Sequence, residues 1–226
     1  MKLNRVLRAD RLVPIRTALV SVADKRGLEE LVRGLSAACP GLTIYSTGGT
    51  FHRLREILEG EKNPPGLRQV SDYTGRPEMQ GGLVKTLDYR IYLGLLAETY
   101  NPDHRRDLKD SGAVPIDLVA ANLYPFREAA ARAGADIEDA RTHIDIGGPA
   151  MLRAAAKNYL RVAALCDPGD YPGVLEELRA RGGGLDLSTR FRLAKKVFRH
   201  TAAYDDAVAA YFEGRRDDEP LEKYEP

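Results

Sequence analysis

The stretch HIDIGGPAMLRAAAKN (143–158) combines a carboxylate and a cation around a run of helix-forming residues. Asp145 comes just before Gly-Gly-Pro, and Lys157 follows twelve residues later. A buried packing helix needs neither charge, whereas a site for an anionic small molecule can use both. The alternatives are that Asp145 caps the helix that begins near Pro149, and that Lys157 and Arg153 form a solvated basic stripe.

Hydroxyl, glycine and lysine residues follow two predicted strands, in the stretches SVADKRG and STGGT. The candidate anion-binding residues there are Ser21, Lys25, Ser46, Thr47, Gly48, Gly49 and Thr50. A glycine-rich turn at a helix N-terminus lets main-chain N–H groups approach an anion, and hydroxyls and a lysine add donors and charge. The pattern predicts a phosphate cradle. The alternative is a helix cap, a tight turn and a surface lysine.

Two further stretches carry polar candidates. IDLVAANLYPF (116–126) ends in Asn122 and Tyr124, whose polar groups could contact a base or a sugar. Its alternative is a strand that finishes in an aromatic plug, with proline preventing extension. GGLVKTL places Lys85 and Thr86 after two glycines, a pattern that on its own is typical of a surface turn.

The elements that must position these residues alternate between two kinds. Apolar, mostly β-branched runs predict strands at 17–24, 42–49, 67–73, 116–126 and 161–167. Helical spacing predicts helices at 25–38, 50–60, 149–160, 171–182 and 188–212, the last capped by Ser188. The run 89–98 fits either element. Such alternation predicts an α/β fold with a parallel sheet and helices on both faces, and ligands in such sheets bind beyond the carboxyl ends of the strands.

Composition excludes several classes of protein. The 226 residues are 43% hydrophobic and 30% charged, with 34 basic and 33 acidic side chains and a net charge of +1. The chain therefore lacks the excess of basic residues that is typical of nucleic-acid-binding proteins. The two cysteines, Cys39 and Cys166, lie far apart and predict neither a disulfide scaffold nor a zinc site. The N-terminus lacks the apolar core of a secretory signal, and no run reaches the roughly 18 apolar residues of a membrane span. We expect a soluble, cytoplasmic protein.

Seven motifs occur in a characteristic order between residues 17 and 212. They are VSVADKRGL, IYSTGGT, VSDYTGRPEM, GLVKTL, IDLVAANLYPF, HIDIGGPAMLRAAAKN and RHTAAYD. Together they resemble the IMP cyclohydrolase domain of the bifunctional AICAR transformylase/IMP cyclohydrolase family. NLYPF and IDIGGP…LRAAAKN are highly specific to that family.

The resemblance implies a methylglyoxal-synthase-like three-layer fold: a mainly parallel sheet flanked by helices, plus a long C-terminal helix. The implied reaction is the last step of de novo purine biosynthesis, in which 5-formamidoimidazole-4-carboxamide ribotide (FAICAR) closes to IMP with loss of water. It uses neither a cofactor nor a metal, and His52, His104, His143 and His200 are indeed scattered without metal-ligand spacing. We expect His200 to be structural and leave His143 as a residue at the edge of the site.

The resemblance also assigns residues. The catalytic positions map onto Lys85, Tyr124, Asp145 and Lys157. The phosphate-binding positions map onto Ser21, Lys25, Ser46, Thr47, Gly48, Gly49, Thr50 and Thr86, and further substrate contacts are expected at Asn122, Ile146 and Gly147. Asp145 and Lys157 would move protons at the carboxamide. Lys85 and Tyr124 would polarise the formyl oxygen and assist loss of water.

The chain departs from the family pattern near Lys85. Leu83 stands where an arginine is expected, Asp88, Tyr89 and Tyr92 replace a His, a Pro and a His, and Ala23 replaces a frequent serine. These changes affect phosphate binding and the path of the loop more than the chemistry. Compensation could come from Arg76, Arg90 or Arg153.

The expected organisation is an N-terminal extension (1–16), one cyclohydrolase-like domain (17–212) and a flexible charged tail (213–226). The sequence lacks the transformylase domain of the family, which predicts a stand-alone enzyme, a separate AICAR formyltransferase as partner and a homodimer. Three alternatives remain. They are a non-catalytic nucleotide-binding regulatory module, a methylglyoxal synthase and a structural subunit of a separate transformylase. Presence of all four catalytic candidates argues against the first, and NLYPF with the Asp145–Lys157 unit does not suit the second.

Overall fold

The strands form two sheets. The computed structural model describes residues 5–77, 79, 84–132 and 134–224. In that part of the chain the main sheet is parallel throughout and has the order β4-β3-β2-β5-β6. Its strands are β2 (Thr17–Val22), β3 (Thr43–Ser46), β4 (Gly66–Gln69), β5 (Leu118–Asn122) and β6 (Ala163–Leu165). A second, two-stranded antiparallel sheet pairs β1 (Leu12–Pro14) with β7 (Gly184–Asp186).

Helices cover the main sheet on both faces. Those of the first half are α1 (Leu28–Ala38), α2 (Gly48–Leu58), α3 (Val70–Thr74), α4 (Tyr89–Leu96) and α5 (Pro102–Ser111). Those of the second half are α6 (Phe126–Ala130), α7 (Ile137–Thr142), α8 (Gly147–Lys157), α9 (Tyr171–Ala180), α10 (Leu187–Glu213) and α11 (Glu219–Lys223). A short 3-10 helix, Pro168–Asp170, precedes α9.

The central strands are apolar on both faces because each face is covered. Along β2, Val20 enters the core cluster that holds α1, α2 and α9, while Leu19 enters the cluster that holds α4, α8 and α10. Alternate side chains of a strand point to opposite faces, so a strand buried on both sides reads as an unbroken apolar run. The predicted parallel sheet flanked by helices is confirmed.

The structure decides one element that the sequence left open and corrects several predicted boundaries. The ambiguous run 89–98 is a helix, whose N-cap Asp88 accepts a hydrogen bond from Arg90 N at 2.8 Å. The predicted strand 67–73 turns into α3 after Gln69, and the predicted strand 116–126 stops at Asn122. Asp186, and not Ser188, caps α10.

The segment before residue 17 packs onto the rest of the protein through Arg190. This side chain is fully buried in α10, and its guanidinium donates to main-chain carbonyls from three separate parts of the chain. The acceptors are Asp10 O at 2.6 Å, Arg11 O at 3.4 Å, Tyr159 O at 3.0 Å, Leu160 O at 3.0 Å and Leu185 O. Burial lowers the pKa of Arg190. The domain boundaries at 17 and 212 stay a prediction.

Both cysteines are free and buried. Within the described ranges, no helix combines the length and the apolar character needed to cross a membrane.

Candidate functional site

The polar candidates gather at the carboxyl edge of the main sheet. Strands β3 and β4 lie on one side of β2, and β5 and β6 lie on the other, so the chain changes direction between β2 and β5. Val22 and Asn122 end these two strands in register. Ligands of open α/β sheets bind at such a switch point.

The predicted phosphate cradle lies between the end of β2 and the start of α2. The Ser21 and Thr47 hydroxyls lie 2.9 Å apart. Lys25 Nζ donates to Thr50 Oγ1 at 3.1 Å and to the carbonyl of Val22. Burial lowers the pKa of Lys25, and the charge of Asp24 opposes that effect. A bound anion would stabilise the charged form of this partly desolvated ammonium, and the hydroxyls beside it could donate hydrogen bonds to the same anion.

The first turn of α2 leaves room for a ligand. Thr47 is the N-cap residue, but its side chain makes no capping hydrogen bond, and the turn holds no acidic residue. Gly48 has a positive φ of 44°. A Cβ added to Gly49 would meet nothing within 4 Å. The N–H groups and partial positive charge of this helix end therefore adjoin open space, as anion binding requires.

Two predicted binding residues have their polar groups engaged within the protein. Ser46 is fully buried, and its hydroxyl donates to Val20 O at 2.7 Å, so the structure does not bring it to the cradle. Asn122 Oδ1 accepts from Ala23 N at 2.6 Å and from Asp24 N at 2.8 Å, and Nδ2 donates to Asp24 O at 2.8 Å. In this structure Asn122 fixes the loop that carries Lys25.

Asp145 stands at the mouth of α8, where several groups act on its carboxylate. Oδ1 accepts a hydrogen bond from Gly148 N at 2.8 Å. Burial raises the pKa of Asp145, whereas the N–H groups of Gly148 and Tyr124 and the charge of Lys85 lower it. The structure thus brings Lys85, the main chain of Tyr124 and Asp145 together. The Tyr124 side chain is 53% exposed and available to a ligand.

The two glycines after Ile146 are explained by close neighbours. A Cβ on Gly148 would lie 2.5 Å from Asp145 Oδ2, and a Cβ on Gly147 would lie 3.2 Å from the Thr86 hydroxyl. Thr86 is buried beside the start of α8, whereas Ile146 is 61% exposed. A side chain at 148 would displace the carboxylate, so the glycine at 148 is what allows Asp145 its present position.

Lys157 is the predicted catalytic residue that the structure does not bring to the others. It ends α8, roughly 15 Å along the helix axis from Gly147. The next residue, Asn158, donates to Leu95 O at 2.8 Å and to Ala97 O at 3.0 Å, at the amino edge of the sheet where β6 begins. The assignment of Asp145 and Lys157 to proton movement at one carboxamide stays a prediction, and within a single chain the two residues lie at opposite ends of α8. An α-helix that runs antiparallel to the strands separates its two ends by the full height of the sheet.

Tyr204 on α10 is a site neighbour that the sequence analysis missed. Its hydroxyl accepts a hydrogen bond from Asp145 N at 2.7 Å. The signal that could have found it is its place in the motif RHTAAYD. A tyrosine that packs against a protein core also needs a hydrogen-bond partner for its hydroxyl.

His143 joins this cluster of contacts through its main chain alone, since its carbonyl accepts from the Tyr204 hydroxyl at 3.4 Å. His143 ends α7, and its Nδ1 lies 2.7 Å from Asp139 O. His200 is half-buried on α10, and burial lowers its pKa. Among the residues that the structure describes, no group of three or more His, Cys, Asp or Glu could hold a metal ion.

The departures from the family pattern fall partly outside the described residues, as Leu83 does. Asp88 caps α4, and Tyr92 packs against the apolar cluster beneath that helix, while Tyr89 is exposed. Arg90 donates to Tyr73 O at 2.9 Å, so one of its nitrogens is already engaged in the fold.

Fold and site together define an α/β protein whose polar residues meet at the switch point of one parallel sheet. Comparison with known protein families supports this fold. Residues 27–150 match the family model of the MGS-like domain, and residues 155–225 match that of the AICARFT/IMPCHase bienzyme. The chain therefore belongs to the family of MGS-like domains, and its C-terminal part is similar to the AICARFT/IMPCHase bienzyme. The resemblance and the fold inferred from the motifs are confirmed.

Two individual proteins show the same relationship. Over 197 residues the chain is 49% identical to the bifunctional purine biosynthesis protein PurH of Acidithiobacillus ferrooxidans. That match covers 87% of this chain but only 36% of the relative, so the chain spans about a third of its length. A crystal structure of ForH superposes with a TM-score of 0.76 at 38% identity, covering 89% of this chain and all of ForH.

Proposed function

We propose that this protein is an IMP cyclohydrolase that closes FAICAR to IMP with release of water. The observation that carries the proposal is the group at the carboxyl edge, where the Asp145 carboxylate accepts from Gly148 N at 2.8 Å and the Lys85 charge acts on it. Beside it, at the ends of the neighbouring strands, Lys25 and the hydroxyls of Ser21, Thr47 and Thr50 form a cradle of the kind a ribotide phosphate needs. The match to PurH supports this assignment.

The reaction needs little beyond orientation and proton handling. The carboxamide nitrogen attacks the formyl carbon of the same molecule, a C–N bond forms, and the formyl oxygen becomes a hydroxyl. Loss of that hydroxyl with a proton from nitrogen releases water and gives the aromatic ring of IMP. Because both groups are tethered on one imidazole, holding the productive rotamer supplies much of the rate.

The residues divide between the two reacting groups. Asp145 accepts the carboxamide proton, and its raised pKa makes it a stronger base than an exposed aspartate. Lys85 and the Tyr124 hydroxyl stabilise negative charge on the formyl oxygen and assist its departure as water. Gly147, Ile146 and Thr86 line the mouth of α8, where the purine precursor would lie. No cofactor or metal enters this scheme.

The partners of the reaction are also proposals. FAICAR would come from a separate AICAR formyltransferase in the cytoplasm. The protein would act as a homodimer, and Lys157 takes part only if a second copy brings it to Asp145, because one chain keeps the two apart.

The test is to mix purified protein with synthetic FAICAR and to follow IMP by absorbance and chromatography. We expect rapid IMP formation, lost in Asp145→Asn and kept in Asp206→Asn, which makes the same change at an exposed position on α10. A folded protein that binds IMP without accelerating its formation would overturn the proposal in favour of a regulatory nucleotide-binding module. A protein that neither binds IMP nor forms it would point to a structural subunit.

A further inference from the structure

Tyr204 bridges both ends of the turn that carries Asp145. Its hydroxyl accepts a hydrogen bond from Asp145 N at 2.7 Å and donates to His143 O at 3.4 Å. The hydroxyl therefore uses both its acceptor and its donor capacity on main-chain groups two residues apart. The turn is tied to α10 by its backbone, which leaves the Asp145 side chain available.

The carboxylate itself is confined from the other side. Asp145 Oδ1 accepts from Gly148 N at 2.8 Å, and the space beside Oδ2 is so narrow that a Cβ on Gly148 would lie 2.5 Å away. With its main chain held by Tyr204 and its side chain held by Gly148, Asp145 keeps one orientation. Releasing the main chain would free the carboxylate to turn.

The same tyrosine ring supports the segment that follows Tyr124. It packs edge-on against Phe126, with ring centroids 6.3 Å apart and an angle of 66°. Phe126 is 2% exposed, and its N–H donates to Tyr124 O at 2.8 Å. One residue of α10 thus touches the supports of two catalytic candidates.

We propose that Tyr204 is a positioning residue for cyclohydrolase chemistry, holding Asp145 in the orientation that accepts the carboxamide proton. This inference rests on the proposed function. Tyr204 does not meet the substrate in this assignment, and it acts through the turn 143–145. Its loss is expected to lower the rate of the chemical step while substrate binding is kept, because the phosphate cradle is built from other elements.

The test compares Tyr204→Phe with Tyr211→Phe. Both remove one hydroxyl from α10, and the Tyr211 hydroxyl donates to Asp136 O at 3.2 Å, before α7 and away from Asp145. Both variants keep a ring beside Phe126. We expect kcat of Tyr204→Phe to fall by about ten- to a hundredfold, as small misplacements of a catalytic group do. We expect KM to change by less than about twofold in either variant.

A second readout does not depend on turnover. Carbon-13 NMR titration of the Asp145 carboxyl should give a different pKa in Tyr204→Phe than in the unaltered protein, and the same pKa in Tyr211→Phe. If Tyr204→Phe lowers the melting temperature but leaves kcat and this titration unchanged, the residue is merely structural and the inference fails. If the unaltered protein forms no IMP, the proposed function fails, and the titration still decides whether Tyr204 orients Asp145.

Discussion

Asp145 and Lys157 lie at opposite ends of α8 and at opposite edges of the main sheet. A lysine side chain reaches only about 6 Å, far less than the roughly 15 Å length of the helix. If both residues act on one substrate, they must come from different copies of the chain.

The first prediction concerns this pair in the proposed homodimer. Asp145→Asn and Lys157→Ala should each be inactive alone. Co-expressed with two different tags and purified through both, they should form mixed dimers that contain one complete site, with about half the activity of the unaltered dimer. The measurement is IMP formation by the doubly purified complex. Full activity of Lys157→Ala alone would remove this residue from the mechanism.

The second prediction concerns Gly148. An alanine there would place its Cβ 2.5 Å from Asp145 Oδ2 and 2.8 Å from the Leu123 side chain, so the carboxylate must move. We expect kcat of Gly148→Ala to fall by about a hundredfold. Gly173→Ala is the matched control, because it also lies in a helix and its new Cβ meets nothing within 4 Å. Equal kcat values for the two variants would contradict a role for the Asp145 orientation.

The third prediction concerns pH. Burial raises the pKa of Asp145, and the Lys85 charge lowers it. A proton acceptor must be ionised, so activity should decline as pH falls through this raised pKa. Lys85→Met removes the lowering influence, and the Asp145 pKa should therefore rise further and move the acid limb of residual activity to higher pH.

The control for this experiment is Lys195→Met, an exposed lysine over the ring of Phe191 on α10. Its acid limb should overlay that of the unaltered protein. An acid limb of Lys85→Met that stays in place or moves to lower pH would show that Lys85 does not act on Asp145.

The fourth prediction concerns stability. Arg190→Met leaves partly or fully buried carbonyls of three chain segments without their donor, which should lower the free energy of unfolding by about 3 kcal/mol. Urea denaturation measures this change. Arg192 lies two residues later on the exposed side of α10, and its partner Asp170 keeps an ion pair with Lys196, so Arg192→Met should leave the midpoint nearly unchanged. Similar midpoints for both variants would contradict the role assigned to Arg190.

The sequence predicted the sheet and its covering helices because apolar periodicity is strong in the central elements. Helix α5 escaped prediction because only Leu108 in it is buried, and the helix is set instead by Asn101, which caps it, and by Pro102. The strands β1 and β7 are three residues each, too short for a periodic pattern. They pair although they lie far apart in the sequence, and no local sequence pattern indicates such a pairing.

The candidate site could be predicted as a set of residues, but not as a geometry. An asparagine after a strand serves a ligand or a loop equally well, and only the fold shows that Asn122 holds residues 23 and 24. The motif resemblance assigned Lys157 and Asp145 to the same carboxamide, whereas the helix rise puts them at opposite ends of α8. The motif RHTAAYD marks Tyr204, but its contact with Asp145 could not be predicted because the two residues lie 59 positions apart in the chain.

Helix α10 carries Arg190 at the amino edge of the sheet and Tyr204 at the carboxyl edge, with no loop between them. Each residue added to or removed from a helix turns everything beyond it by about 100°. A single insertion between the two would point the tyrosine hydroxyl away from Asp145 while Arg190 stayed in place. The number of residues between Arg190 and Tyr204 is therefore fixed by geometry. This part of α10 should accept substitutions on its outer face but neither insertions nor deletions.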